Sequence, residues 1–294
     1  MNKNREKISK RRETLEAYTF VGPYVIGIVL FFLFPICFSL AISFCDFKVV
    51  AAGNTFDWVG LTNYINIFVE DAAYSDAFIK SISTTIINTI LIVVFSLVIA
   101  VVLNKKMVGQ GFFRTVFFLP FLLGTGYVMN QLLGVGTVDQ AMSMARSIVL
   151  PDEIKAYLGA DLSALLMGFL GKITWIFWRS GVQVILFLAG LQGINKSLYE
   201  SARIDSATEW EIFWKITIPM VSPTTLLIIV YSIIDSFTDP TNPLGEMFMH
   251  KAFQKTEYSI SAAMSWVYFL FIMAMVGIVF VVMKRFIHSD FDKK

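Results

Sequence analysis

The sequence predicts an all-helical integral membrane protein with six transmembrane helices and both termini in the cytoplasm. Three observations carry this. Of the 294 residues, 56% are hydrophobic and 16% charged, where a soluble domain carries about 25% charged residues. Mean hydropathy is +0.68. The apolar residues fall in runs of about twenty, the length that crosses hydrocarbon. Finally, most of the 24 Lys and Arg sit in the N-terminal tail, the turn after residue 103, the 192–219 stretch and the C-terminal tail. The positive-inside rule places those segments in the cytoplasm.

The six runs cover residues 19–45, 81–103, 112–135, 167–191, 221–237 and 261–283. The first is broken by Gly22-Pro23 and Pro35 and is long enough to span with a tilt or kink. Residues 46–78 and 136–161 are mixed and polar, and 238–260 reads as a loop with Pro240 and Pro243. The chain therefore divides into a basic tail (1–18), a membrane domain (19–284, with its core about 80–284) and a short charged tail (285–294). Lys3, Arg5, Lys7, Lys10, Arg11 and Arg12 precede an apolar run too long for a cleaved signal. Beside a span they read as a topogenic signal, not as a nucleic-acid site. A helix would hold Cys37 and Cys45 roughly 12 Å apart, too far for a disulfide.

The stretch 197–219 interrupts the apolar pattern with polar, helix-forming residues. Ser197 with Glu200, and Thr208 with Glu211, have the spacing of capping boxes, in which hydroxyl and carboxylate satisfy free N–H groups at a helix start. Pro219 lacks an N–H and is expected to stop the second helix. The expectation is two short helices with a bend near Ser206.

No catalytic constellation is visible. His250 and His288 stand alone, and no His/Cys/Glu cluster has metal-ligand spacing. Gly171-Lys172 lacks the upstream glycine and the hydroxyl residue of a phosphate loop. Uphill transport by this chain would draw on an ion gradient or a partner.

Charges inside the spans are costly and point to function. Arg179 lies roughly 18 Å from Leu191 along a helix, near mid-bilayer. Trp175 and Gln183 share its face at i−4 and i+4. Tyr231, Asp235 and Asp239 form a similar stripe in the fifth run. Both stripes suit a sugar path, because hydroxyls need hydrogen bonds and C–H faces stack on rings. Structural pairing of Arg179 with Asp235, or with a backbone carbonyl, accounts for the same residues. Tyr127 and Asn130 in the third run, and Asn88 in the second, fit either a cavity lining or helix–helix hydrogen bonds. Lys172 is expected to snorkel to the outer interface.

The stretch Glu200-Ser201-Ala202-Arg203-Ile204-Asp205-Ser206-Ala207, followed by Phe213, Ile216 and Ile218-Pro219, resembles the EAA motif of binding-protein-dependent ABC importer permeases. Three further segments are similar to sugar permeases: Trp58-Val-Gly-Leu-Thr-Asn-Tyr64, Phe112-Phe-Arg-Thr-Val-Phe-Phe-Leu-Pro120 and Leu186-Phe-Leu-Ala-Gly-Leu-Gln-Gly193. The resemblance covers nearly the whole chain and lies with the carbohydrate-uptake branch, which includes permeases for maltose, raffinose-type oligosaccharides and glycerol 3-phosphate. It implies the type I importer fold, a bacterial plasma membrane location and no cofactor in this chain. It implies that Tyr199, Glu200, Ala202, Asp205, Ser206, Ala207, Phe213, Ile216 and Pro219 couple to a cytoplasmic ABC ATPase dimer that holds ATP and magnesium. A second, homologous permease and an extracytoplasmic solute-binding protein complete the implied assembly, in membrane lipid. Tyr199, Trp210, Phe213 and Trp214 would be apolar anchors for the ATPase.

The chain departs from the pattern at four places. Ser201 replaces an alanine, and Ser206 replaces the motif glycine, so the bend is expected to be gentle or carried by Ala207-Thr208. Thr238-Asp-Pro-Thr-Asn-Pro243 replaces a glycine-rich run. Arg179 stands where relatives often carry no charge, which allows a non-sugar or anionic solute such as an acidic sugar, phosphate ester or peptide. An ion-coupled carrier is the reading from another class.

Overall fold

A computed structural model of the chain describes residues 18–50, 53–69, 71–105, 111–112, 115–116, 152–239 and 242–284. Helix α1 (Tyr18–Ser43) leads into a hairpin of β1 (Cys45–Val50) and β2 (Gly53–Trp58). Then come α2 (Thr62–Val69), α3 (Ala72–Asn104), α4 (Asp152–Arg179), α5 (Gly181–Gln192) and α6 (Lys196–Ile204). The chain continues through α7 (Glu209–Phe237), α8 (Pro243–Met249) and α9 (Tyr258–Lys284). Five of these helices are long and apolar enough to cross a membrane: α1, α3, α4 from Tyr157, α7 and α9. Their surfaces carry exposed Phe31, Ile90, Leu227 and Val281, as lipid-facing helices do, since hydrocarbon solvates them as well as a core would. The expected third run (112–135) lies almost wholly outside the described residues, with Tyr127 and Asn130 in it.

Two prolines within spans share one device. A π-helical turn, Val29–Leu33, ends two residues before Pro35, and another, Phe213–Thr217, ends two residues before Pro219. Proline has no N–H to donate, and its ring crowds the carbonyl four residues back. Widening the turn relieves that crowding, and the residue before each proline bonds five back, Phe34 to Val29 and Ile218 to Phe213. Pro219 therefore does not stop the second helix, as its chemistry alone suggested. That helix runs unbroken from Glu209 to Phe237.

The chain forms two compact units, residues 1–79 with 240–271, and 80–239 with 272–294. In the first, Phe47 and Phe56 face each other across the hairpin with centroids 4.7 Å apart. The segment Trp58–Tyr64 closes the hairpin onto α1. Trp58 stacks on Phe44, and Gly60 takes φ +61°. Asn63 donates to the Ser43 and Cys45 carbonyls at 3.0 Å. The expected loop at 238–260 is partly helical, because the Asn242 side chain caps Leu244 N–H and Pro243 starts α8. Lys251 holds Asp71 at 2.6 Å. Burial pushes the Asp71 carboxyl up, but Lys251 and the Tyr74 amide more than offset it and leave the pKa below the ordinary value.

In the second unit α5 packs on α7. Gln183 meets Ser232 and Gly190 meets Thr224, so the two run antiparallel. Gly190 permits the closest approach. A Cβ there would lie 2.7 Å from Thr224 Oγ1 and 3.1 Å from its Cβ. Val184, Phe187, Leu188 and Leu191 of α5 meet Val221 and Ile228 of α7 and Ala100 and Leu103 of α3 in one core. This core lies directly behind α6 and the first turns of α7.

Candidate functional site

The α6–α7 connection explains the motif in backbone terms. Asn195, not Ser197, caps α6: its side chain accepts the Ser197 N–H at 3.0 Å, and the helix starts two residues earlier than the capping-box spacing suggested. Glu200 is thereby released from capping. It is exposed, and among the described residues it makes no hydrogen bond or ion pair. The second box forms as expected, with the Thr208 hydroxyl on Glu211 N–H and the Glu211 carboxylate on Thr208 N–H.

Between the two caps the chain makes a Schellman turn. Ala207 N–H bonds the Ala202 carbonyl at 3.0 Å and Ser206 N–H the Arg203 carbonyl at 3.1 Å, with Ser206 at φ +60°. This is the six-to-one and five-to-two pairing that ends a helix with a left-handed residue. The bend is thus carried by Ser206 itself. The expectation of a gentler bend, or one carried by Ala207-Thr208, is overturned because two backbone bonds hold the left-handed geometry. A serine there costs about 1–2 kcal/mol through its Cβ. Ser206→Gly is expected to raise stability by up to about 1 kcal/mol, read as a higher unfolding midpoint in detergent, with the fold unchanged.

The exposed face of this connection comprises Glu200, Ile204, Asp205, Ser206, Trp210 and Trp214. Ile204 is 82% exposed and Trp210 70%. Tyr199 and Phe213, expected as anchors, are half-buried: Tyr199 Oη lies 3.3 Å from Thr217 Oγ1, and Phe213 packs edge-on to Trp214. Ala202, Ile216 and Pro219 are likewise half-buried and hold the fold of the turn. Ile204 was missed from sequence. Its signal is an isoleucine between Arg203 and Asp205 at the end of a polar helix. Behind the connection, a cavity of about 430 Å³ is lined by Asn104, Leu191, Tyr199, Glu200, Ile212 and Phe213 among others.

At the other end of α7 lies the charged cluster. Arg179 Nη2 bonds Asp235 Oδ2 and Nη1 bonds Asp239 Oδ2, each at 2.5 Å, and Nη2 also reaches the Asp235 carbonyl at 3.1 Å. The guanidinium sits 5.9 Å from the centre of the Trp175 ring. Its side chain is 13% exposed, against 33% for Asp235 and 10% for Asp239. Arg179 is therefore level with the C-terminal end of α7, not with its middle. Gln183 is fully buried against Ser232, with its amide nitrogen side facing the Arg179 and Ser180 carbonyls. Tyr231 is half-buried on the α7 turn below Asp235. Trp175, Arg179 and Gln183 are not on one unbroken helix, because α4 ends at Arg179 and α5 begins at Gly181.

A second polar seam joins α3 to its neighbours. Thr85 meets Ser236 at 3.1 Å, and Lys172 Nζ donates to Asn88 Oδ1 at 3.2 Å. Lys172, expected from sequence to snorkel to the outer interface, is exposed and donates to the buried Asn88 amide.

No family model matches the chain. It is 28% identical to the "Probable ABC transporter permease protein YesP" of Bacillus subtilis, over 96% of this chain and 94% of that one. It is 29% identical to the arabinooligosaccharides transport system permease protein AraP of the same organism, over 75% and 68%. With the multiple sugar-binding transport system permease protein MsmF of Streptococcus mutans the identity is 25%, over 89% and 93%. A chain of a bacterial ABC transporter involved in alginate import superposes with a TM-score of 0.63 at 20% identity, covering 96% of this chain and 99% of that one. The fold is thus that of ABC importer permeases, and this multi-pass membrane chain is a homologue of the carbohydrate-uptake permeases.

Proposed function

We propose that this chain is the permease subunit of an ATP-driven importer of sugars or oligosaccharides in a bacterial plasma membrane, with both termini and the α6–α7 connection in the cytoplasm. The observation that carries this is the Schellman turn at Ser206. It presents Glu200, Ile204, Asp205 and Trp210 outward, while the half-buried Tyr199 and Phe213 tie the turn to the α3–α5–α7 core. A partner that grips the turn moves the core with it. The partner is a cytoplasmic ABC ATPase dimer, which holds ATP and magnesium and performs the hydrolysis. A second, homologous permease completes the pathway.

An extracytoplasmic binding protein delivers the solute. In support, a solved alginate ABC transporter is in complex with a periplasmic protein bound to an alginate pentasaccharide. In this reading Trp175 and Tyr231, together with Tyr127 and Asn130, line the solute path, while the Arg179–Asp235 pair and the fully buried Gln183 brace it. The chain co-reconstituted with its neighbouring subunits should take up oligosaccharide only when ATP is supplied to the ATPase side. Uptake that needs no ATP and follows a proton or sodium gradient would contradict the proposal.

A further inference from the structure

Resting on the carbohydrate-permease reading, we infer that the carried sugar is anionic and that Lys172, positioned by Asn88, meets its negative group. The sequence directed attention to Arg179 as the cation for such a solute. The structure engages that guanidinium with two carboxylates, Asp235 and Asp239. An anion approaching Arg179 would meet the two aspartates as well.

Lys172 is different. It lies on the α4 face that carries Trp175 and Arg179, at i+3 and i+7. Its polar partner among the described residues is Asn88, a neutral amide that is 7% exposed on α3. An amide orients an ammonium without cancelling its charge. The bond to Asn88 Oδ1 uses one of the three ammonium protons and leaves two donors free. Lys172 itself is exposed. The result is a cation on an apolar helix that, among the described residues, pairs with no carboxylate and is held by Asn88 at an interhelical seam that continues through Thr85 and Ser236. A lysine that only anchored to lipid would extend along the apolar surface toward the headgroups. Trp175, one turn away, supplies a ring for a sugar face. A carboxylate or a phosphate on the sugar would satisfy the ammonium equally, and a neutral sugar would leave its charge unanswered.

The experiment uses the whole importer in proteoliposomes, with digalacturonate, its neutral dimethyl ester and glucose 1-phosphate as probes. Wild type should take up digalacturonate or the sugar phosphate at least tenfold faster than the ester, and the faster of the two identifies the anion. Lys172→Met should lose about tenfold on that anion and leave ester uptake unchanged. Lys172→Arg should retain the preference, and Asn88→Leu should raise KM for the anion alone with kcat kept. Equal uptake of ester and anions by wild type overturns the inference, and so does a uniform loss of all three probes in Lys172→Met. Failure of wild type to move any sugar with ATP overturns the permease reading itself.

Discussion

Arg179→Leu is expected to cost about 3–5 kcal/mol of stability, because it removes the cation from a largely buried cluster with two carboxylates. For a chain of this size that is a fall on the order of 10 °C in unfolding midpoint. Asp235 and Asp239 would lose the guanidinium that now stands between them at 2.5 Å from each. Arg179→Lys should recover part of the loss, since an ammonium keeps the charge but cannot fork between two carboxylates. Asp235→Asn in the Arg179→Leu background should recover part of it by removing one charge. Thermal unfolding of the purified protein in detergent reads all three against wild type. The outcome also separates the two readings that the sequence left open. A melting point unchanged by Arg179→Leu, with uptake abolished, assigns Arg179 to the solute path. A large fall assigns it to holding α4 against the end of α7.

Much of the fold was legible because the bilayer imposes length and apolarity, and both are written in composition. Four spans overlap the runs read from sequence, and the fourth run (167–191) is instead divided between a span that starts at Tyr157 and ends at Arg179 and the short helix Gly181–Gln192. The hairpin at Cys45–Trp58 was not legible, since its two strands are short and its Phe47–Phe56 pairing depends on register. Helix starts were legible to within a turn. Thr208 caps as its spacing indicates, whereas Asn195 takes the role given to Ser197, because Asn, Ser and Thr cap about equally well and backbone conformation chooses among them.

Proline gave the opposite lesson at Pro35 and Pro219. Propensity says that it breaks a helix, and a π-helical turn before each absorbs the break at a cost that sequence does not show. Ser206 shows the same limit. Its side chain argues against positive φ, yet two backbone bonds, from Ser206 to Arg203 and from Ala207 to Ala202, enforce it. The sequence spacing placed the bend between the two short helices near Ser206, where the turn stands. Tertiary packing then decided that Tyr199 and Phe213 face inward and Ile204 outward, as no local pattern could.

The exposed side chains of that turn give the second large effect. Ile204→Ala and Trp210→Ala should each cost about 2–4 kcal/mol of ATPase binding, as central apolar anchors do. That is a roughly 30- to 700-fold rise in Kd. Both side chains stand mostly in solvent in the chain alone, at 82% and 70% exposure, so neither substitution should lower the unfolding midpoint of the permease. Glu200→Arg should weaken binding while leaving the helix cap intact, because Asn195 and not Glu200 satisfies the start of α6. Half-buried Tyr199 is the contrasting control. Tyr199→Ala should destabilise the permease by removing packing against α7.

The direct test is the Kd of the purified ATPase for the permease in nanodiscs, measured for wild type, Ile204→Ala, Trp210→Ala and Glu200→Arg. Coupling through the Ser206 turn predicts tight binding by wild type and a loss of at least tenfold in each variant, with unchanged melting points. Equal Kd values across the four would place the ATPase contact elsewhere and contradict the account.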